Sequence, residues 1–326
     1  MTQDFTTPFF RGLPWAEYRA RKERFVVSPT RLGDSDFSYE TALFMAECSK
    51  LAYEDSSTIE NVVRNDWGFS GFDFMSSGAT QGHIISNDNL CLITFRGTET
   101  GDGDWWDNLN LFTVDRPYGY VHLGFYDAYQ RIQDSLVQGL GMLAPAGKPV
   151  WITGHSLGGA ITTIAAAELK DEFSIGGAYT FGQPRVGFQK LERFISQNYK
   201  GRYHRFVNRQ DPVTGLLPNW FLRPWKHVER LIHLVDDMEG ARIVGGSRAA
   251  LEEPAPLTSA EFLEMRNGLK RLRAFHQERG ILGDRIVSGK QLDELRLNGR
   301  VRSISDHYID NYIDAIRPLA EDATGT

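Results

Sequence analysis

The stretch "KPVWITGHSLGGAITTIAAAEL", residues 148–169, constrains this chain more than any other. A short β-rich run meets a run with helical spacing, and the only residues between them are Gly154, His155, Ser156, Leu157 and Gly158. A strand that turns into a helix in so few residues must bend sharply. The serine at the apex takes up the strain, and the glycines beside it leave room where a Cβ would clash. Such a turn lifts the Ser156 hydroxyl above the carboxyl ends of the strands, where open α/β sheets bind ligands. The helix that follows aims its free N–H groups at the same place. Ser156 is therefore a candidate nucleophile rather than a turn residue.

The rest of the chain suits that architecture. "SYETALFMAECSKLAY" (38–53) reads as a mostly buried helix capped by Ser38. "GHIISNDNLCLITFRG" (82–97) reads as two strands around a tight turn. A helix at "HLGFYDAYQRIQDSLVQGL", the opening strand and helix, a strand at "IGGAYTFG", a helix at "GFQKLERFISQN" and a strand at "RYHRFVN" follow. Alternation of this kind predicts a mostly parallel central sheet with helices on both faces. "KHVERLIHLVDD" (226–237) reads as an edge-side strand, and "SDHYIDNYIDAIRPL" (305–319) as a helix with Ser305 as its cap. Residues 1–326 read as one α/β domain, with 1–36 an arm that packs on it and 240–300 a helical insertion.

A serine hydroxyl is a weak nucleophile near neutral pH. It needs a histidine to take its proton and a carboxylate to orient that histidine. Where the serine stands on such an elbow, the acid and then the histidine follow it in the chain. Asp211, after the strand "RYHRFVN" and before Pro212, is the leading acid, and Asp236 and Asp237 are alternatives. Of the later histidines, His276 lies on a charged helix and His227 and His233 lie in a strand-like run, while His307 sits beside a loop at a helix start. His307 is the leading base and His227 the reserve. Two donors must also await the developing oxyanion: the backbone N–H of Leu157, and one from the loop that ends "CLITFRGTET", where Thr98 stands. Each such donor is typically worth about 2.7–4 kcal/mol to the transition state.

Composition narrows the partners. The net charge of −6 offers no basic face for nucleic acid, so none is expected as a partner. No run approaches the length of a spanning helix. Cys48 and Cys91, both in apolar surroundings, are expected to be buried free thiols. The N-terminal stretch lacks the basic start and apolar core of a signal peptide, so a cytoplasmic or non-classically exported protein is expected.

"WITGHSLGGA", "FGQPRVG" (181–187), "RFVNRQDPV" (205–213) and "ISDHYIDNYI" (304–313) resemble, in order, segments of the class 3 lipase family. So do "ITFRGT" (93–98), "VHLGFYDAY" (121–129) and "LAYED" (51–55). The resemblance implies an α/β-hydrolase fold, with Ser156, Asp211 and His307 as a catalytic triad and Thr98 with Leu157 at the oxyanion hole. It also implies that no metal or organic cofactor is needed, and that the substrates are lipid esters met at a lipid–water interface. Acylglycerols come first, with phospholipid as the competitor. A catalytically silent lipase-like scaffold is the reading from another class. The segment after Thr98, with Trp105, Trp106, Leu109, Leu111 and Phe112, stands where the family has a lid, and a helix packed on the core is its alternative. The chain departs from the family at Phe188, where a small polar residue is usual, and in "DPVTGLLP", which lacks a second early proline.

Overall fold

The computed structural model describes residues 12–21, 37–98, 112–217, 219–220, 223–234, 241–244, 256–258, 260–261, 263–265, 267 and 304–324. Within these, the strands are β1 (Gly71–Ser77), β2 (Thr80–Ser86), β3 (Cys91–Phe95), β4 (Thr113–Arg116), β5 (Gly119–His122) and β6 (Val150–His155). They continue with β7 (Ile175–Phe181), β8 (Tyr203–Asn208), β9 (Asn219–Trp220), β10 (Arg223–Pro224), β11 (Arg230–Leu234) and β12 (Ala241–Val244). The principal helices are α1 (Trp15–Arg21), α2 (Tyr39–Leu51), α3 (Ser56–Asn61), α4 (Leu123–Leu143), α5 (Leu157–Glu168), α6 (Gln189–Asn198) and α7 (Ile309–Thr324).

One sheet runs in the order β1-β2-β3-β6-β7-β8-β11-β12. Its middle, from β3 to β11, is parallel, and the two outer pairings on one side and the last on the other are antiparallel. β6 lies between β3 and β7 and is buried along its whole length, which accounts for the unbroken apolar reading of "VWIT". On one face α4, α5 and α6 contribute Phe125, Ile132, Ile161, Ile164 and Leu191 to a continuous core. On the other, α1, α2 and α7 contribute Trp15, Leu43, Phe44, Ile313 and Ile316. Each such large side chain is worth about 1.5–3 kcal/mol when fully buried. Ser38 caps α2 as expected, its hydroxyl accepting from Thr41 N at 3.0 Å.

Three local expectations change. The strand at 226–237 shrinks to Arg230–Leu234 and is not the edge, because Ala241–Val244 pairs outside it in antiparallel register. That short run, flanked by glycines, carries no period of its own and is a strand only because a partner is present. The region 54–81, to which the sequence reading assigns no element, holds α3 and β1. Residues Ile304–His307 form one turn of 3-10 helix, so Ser305 is not an α-helical cap and the helix begins at Ile309. Most of 240–300 lies outside the described residues, as do 1–11 and 22–36 of the arm.

Residues 12–21 pack where α2 and α7 meet. Lys50, almost wholly buried, reaches Leu13 O at 2.6 Å and pairs with Asp310 at 2.5 Å, and Asp310 also accepts from Leu13 N at 2.7 Å. Nearby, Glu47 accepts from the Tyr18 hydroxyl at 3.0 Å and from Arg317 at 3.0 Å. Cys48 and Cys91 are free and buried, in the cores on opposite faces of the sheet. Burial pushes the Cys91 thiol up to about 12, far from its reactive form. Among the described residues no helix is long and apolar enough to cross a membrane.

His83, on β2, is fully buried, and neither ring nitrogen has a hydrogen-bond partner among the described residues. Burial pushes its pKa down to about 3, so it is neutral in the folded protein. In the unfolded chain it takes up a proton near 6.5. Its contribution to stability is therefore complete above that value and is lost as the pH falls toward 3. We expect His83→Leu to flatten the acid-side loss of stability by about 1.4 kcal/mol per pH unit between pH 6 and 4. Urea unfolding of both proteins at several pH values checks this, and parallel slopes would exclude it.

Candidate active site

Ser156 sits between β6 and α5 with φ 58° and ψ −122°, a conformation that costs a non-glycine residue about 1–3 kcal/mol. Two close approaches force it. A Cβ on Gly154 would run into the backbone of Gly158, and one on Gly158 would run into the carbonyl of Phe95 at the end of β3. The elbow is thus pressed against the end of β3, the strand that leads into Thr98. Leu157 is the first residue of α5, and its N–H is one of the free donors of the helix start. Thr98 is buried, and its hydroxyl has no hydrogen-bond partner among the described residues.

Three distant segments converge on the serine. Asp211 follows β8, beside its C-terminal end, and His307 closes the 3-10 turn before α7. His307 Nε2 lies 2.9 Å from Ser156 Oγ, and His307 Nδ1 lies 2.8 Å from Asp211 Oδ2. All three side chains are fully buried. A carboxylate only accepts, so Nδ1 carries the proton, and Nε2 is left with a lone pair facing the serine hydroxyl. The arrangement can draw a proton from Ser156 as its oxygen attacks, and Asp211 can steady the imidazolium that results.

Asp211 is held by more than the histidine. The Tyr312 hydroxyl donates to Oδ2 at 2.6 Å and Val213 N donates to Oδ1 at 2.8 Å. Burial, and then the Asp211 charge, push the Tyr312 phenol well above its ordinary range, so it stays a donor. Gly182, at φ 60°, lies where a Cβ would stand 2.7 Å from His307 Cε1 and 2.8 Å from Asp211 Oδ2. Only glycine permits both the left-handed turn and the packing of the acid–base pair against it. Arg185 braces the turn beyond Asp211 by donating to Gly215 O, Leu216 O and Leu217 O at 3.2, 3.4 and 3.4 Å.

Of the sequence candidates, Ser156, Asp211 and His307 come together, with Thr98 and Leu157 on the strand and helix ends beside them. His227, the reserve base, instead sits near Thr214, its Nε2 2.9 Å from that residue's carbonyl. Burial, then Arg205 and Arg185, push its pKa well below the ordinary range. His233 is similarly used, with Nε2 2.7 Å from Arg209 O. Asp236, Asp237, His276, Trp105, Trp106, Leu109 and Leu111 lie outside the described residues. Phe112 is largely exposed, and its carbonyl accepts from Leu123 N at 2.9 Å. Sequence reasoning missed the part played by Tyr312. The signal was there: the hydroxyl is on a tyrosine of the helix that follows the histidine, a helix that had to pack beside the acid.

Residues 92–221 match the family described as Lipase (class 3). The chain is 32% identical over 146 residues to secreted mono- and diacylglycerol lipase 1 of Fusarium solani, covering 42% of this chain and 43% of that protein. It is 27% identical over 227 residues to triacylglycerol lipase OBL1 of Arabidopsis thaliana, covering 52% of this chain and 44% of that one. The chain thus spans less than half the length of these relatives. Among solved structures, a mutant form of MDLA from Penicillium cyclopium shares the fold with a TM-score of 0.53 at 18% identity, over 69% of this chain and 94% of that chain. The mono- and diacylglycerol lipase of Aspergillus oryzae does so with a TM-score of 0.53 at 20% identity, over 64% of this chain and 87% of its own.

These relatives correct the expected compartment. The Fusarium solani and Penicillium cyclopium proteins are secreted lipases by name, which points to export and not to the cytoplasm. A mildly acidic surface over an apolar core is equally stable on either side of a membrane, so the folded residues carry no mark of the address. With the parallel sheet and the strained serine elbow, the chain has the α/β-hydrolase fold, and over residues 92–221 it is similar to the class 3 lipases.

Proposed function

We propose that the protein is a serine hydrolase that cleaves carboxylic esters of lipids through an acyl-enzyme. The observation that carries this reading is the buried chain from hydroxyl to imidazole to carboxylate, at 2.9 and 2.8 Å. Ser156 Oγ attacks the ester carbonyl while His307 Nε2 takes its proton. The tetrahedral oxyanion is held by the backbone N–H groups of Leu157 and Thr98. The C–O bond to the alcohol breaks, and His307 returns the proton to the leaving oxygen. Water then attacks the acylated serine with His307 again as base, which releases the acid and restores the hydroxyl. Throughout, Asp211 holds the imidazole in one tautomer.

Acylglycerols are the substrates we assign. The relatives' names support this, being lipases of mono-, di- and triacylglycerols. The fully buried triad also supports it, since charge stabilisation by fixed dipoles is strongest where water is excluded.

A fluorophosphonate probe tests the chemistry. We expect one label per chain, at Ser156, and none in Ser156→Ala. A folded wild type that resists the probe overturns the reading. Asp211→Asn should still fold but lose about 10⁴-fold in kcat, because the amide favours the wrong tautomer of His307.

A panel of p-nitrophenyl esters of increasing chain length, with triolein and phosphatidylcholine beside it, tests the substrate class. We expect hydrolysis of triolein or its partial glycerides. Turnover of phosphatidylcholine alone would make the protein a phospholipase. Tyr312→Phe removes one of the three donors to Asp211 and should lower kcat/KM about tenfold, with KM little changed. An unaltered kcat would show that the phenol only packs.

A further inference from the structure

His155, the residue inside the elbow just before the nucleophile, has no part in the acyl-transfer steps, yet both of its ring nitrogens are engaged. Nε2 lies 2.7 Å from the backbone oxygen of His307, and Nδ1 lies 2.8 Å from the Tyr53 hydroxyl. A carbonyl oxygen can only accept, so Nε2 carries a proton and donates it. In a neutral imidazole Nδ1 is then the acceptor, and Tyr53 must be the donor. The ring is fully buried. Burial, then the neighbouring His307, push its pKa well below the ordinary range, so it stays neutral.

The setting shows what this pair holds. His307 lies at the end of a single 3-10 turn, a segment too short to fix its own position. Two consecutive carbonyls of that turn are gripped from the sheet: Asp306 O by Asn208 Nδ2 at 3.0 Å, and His307 O by His155 Nε2. The imidazoles of His155 and His307 lie with centroids 4.6 Å apart and planes tilted by 32°, and the Tyr312 ring meets His155 edge-on at 6.1 Å. On the far side, the Tyr53 hydroxyl fills the space that a side chain on Gly97 would need, next to Thr98. One hydrogen-bonded chain therefore runs from beside the candidate oxyanion loop, through Tyr53 and His155, to the main chain of the base.

We propose that His155 is a positioning residue for the base, holding the His307 main chain through its Nε2–H, with Tyr53 setting its tautomer. The proposal rests on the reading of His307 as the base. A neutral donor is the right chemistry for the task. His307 becomes cationic as the serine loses its proton, and a charged group stacked on it would oppose that step. Misplacing a reacting group by about 1 Å can cost about 100-fold in rate.

The full-length protein gives two independent readouts. ¹⁵N NMR of the imidazoles should find His155 as the Nε2–H tautomer, with no protonation down to pH 5. Among the described residues, the titratable and charged groups around it are Tyr53, His307, Tyr312 and Lys50, none of them a carboxylate that could stabilise a proton there. An Nδ1–H tautomer, or titration above pH 6, overturns the proposal without reference to activity.

Paired variants give the second readout. His155→Phe keeps a ring but no donor, whereas His155→Gln places an amide nitrogen where Nε2 stood. We expect His155→Phe to lose about 100-fold in kcat and in the rate of fluorophosphonate labelling, with KM within about twofold of wild type. His155→Gln should recover most of that loss. If the ring merely packs, His155→Phe will outperform His155→Gln, and the proposal fails. If His155→Phe does not fold, the NMR result on wild type decides alone. Failure of wild type itself to label would instead overturn the hydrolase reading.

Discussion

The turn at Ser156 exists because two backbone segments touch with no side chain between them. Gly154 meets Gly158 across the elbow, and Gly158 meets the Phe95 carbonyl at the end of β3. That contact sets the angle at which α5 leaves the sheet, and with it the positions of the Ser156 hydroxyl and the Leu157 N–H. The strain at Ser156, about 1–3 kcal/mol, is small beside the burial of β6 and of nearly all of α5 on the two sides of it. A local penalty persists because the packing around it leaves the serine no other conformation.

The second constraint is long-range. The candidate base, His307, lies 151 residues beyond Ser156, and α7 must return to the sheet in one register to deliver it. The ion pairs of Lys50 with Asp310 and of Glu47 with Arg317 join α7 to α2, and Leu13 and Tyr18 complete both. Pairs of this kind add little net stability. A broken one leaves a buried charge at a cost of about 3–5 kcal/mol, so a shifted helix is heavily disfavoured. The apolar residues Ile309, Ile313 and Ile316 supply the adhesion, and the charges specify the position.

Much of this was legible before any coordinates. The elbow could be read because its strain demands particular residues at particular places. The parallel strands announced themselves as short apolar runs, and α2 by its apolar content and its Ser38 cap. What escaped was either too short or too dependent on a partner. Ala241–Val244 is a strand only because β11 offers it an edge. The turn Ile304–His307 looked like the first turn of a helix, since one turn of 3-10 and one of α-helix have the same side-chain demands. The polar support of the site was hidden more deeply. Tyr53, His155 and Tyr312 were given no part in the site, because a pattern of hydrophobicity says nothing about where a hydroxyl or a ring nitrogen points.

By itself, then, the sequence determined the elbow, the parallel sheet around it, and the residue types of the site in their chain order. Those follow from local sterics and period, which act between near neighbours. It left two further aspartates and a second histidine as rivals for the acid and the base. The tertiary structure brought His307, and not His227, within reach of Ser156 and gave Asp211 its three donors. It did so because separations of 96 and 151 residues along the chain become contacts of 2.8 and 2.9 Å only when the sheet and α7 are packed together.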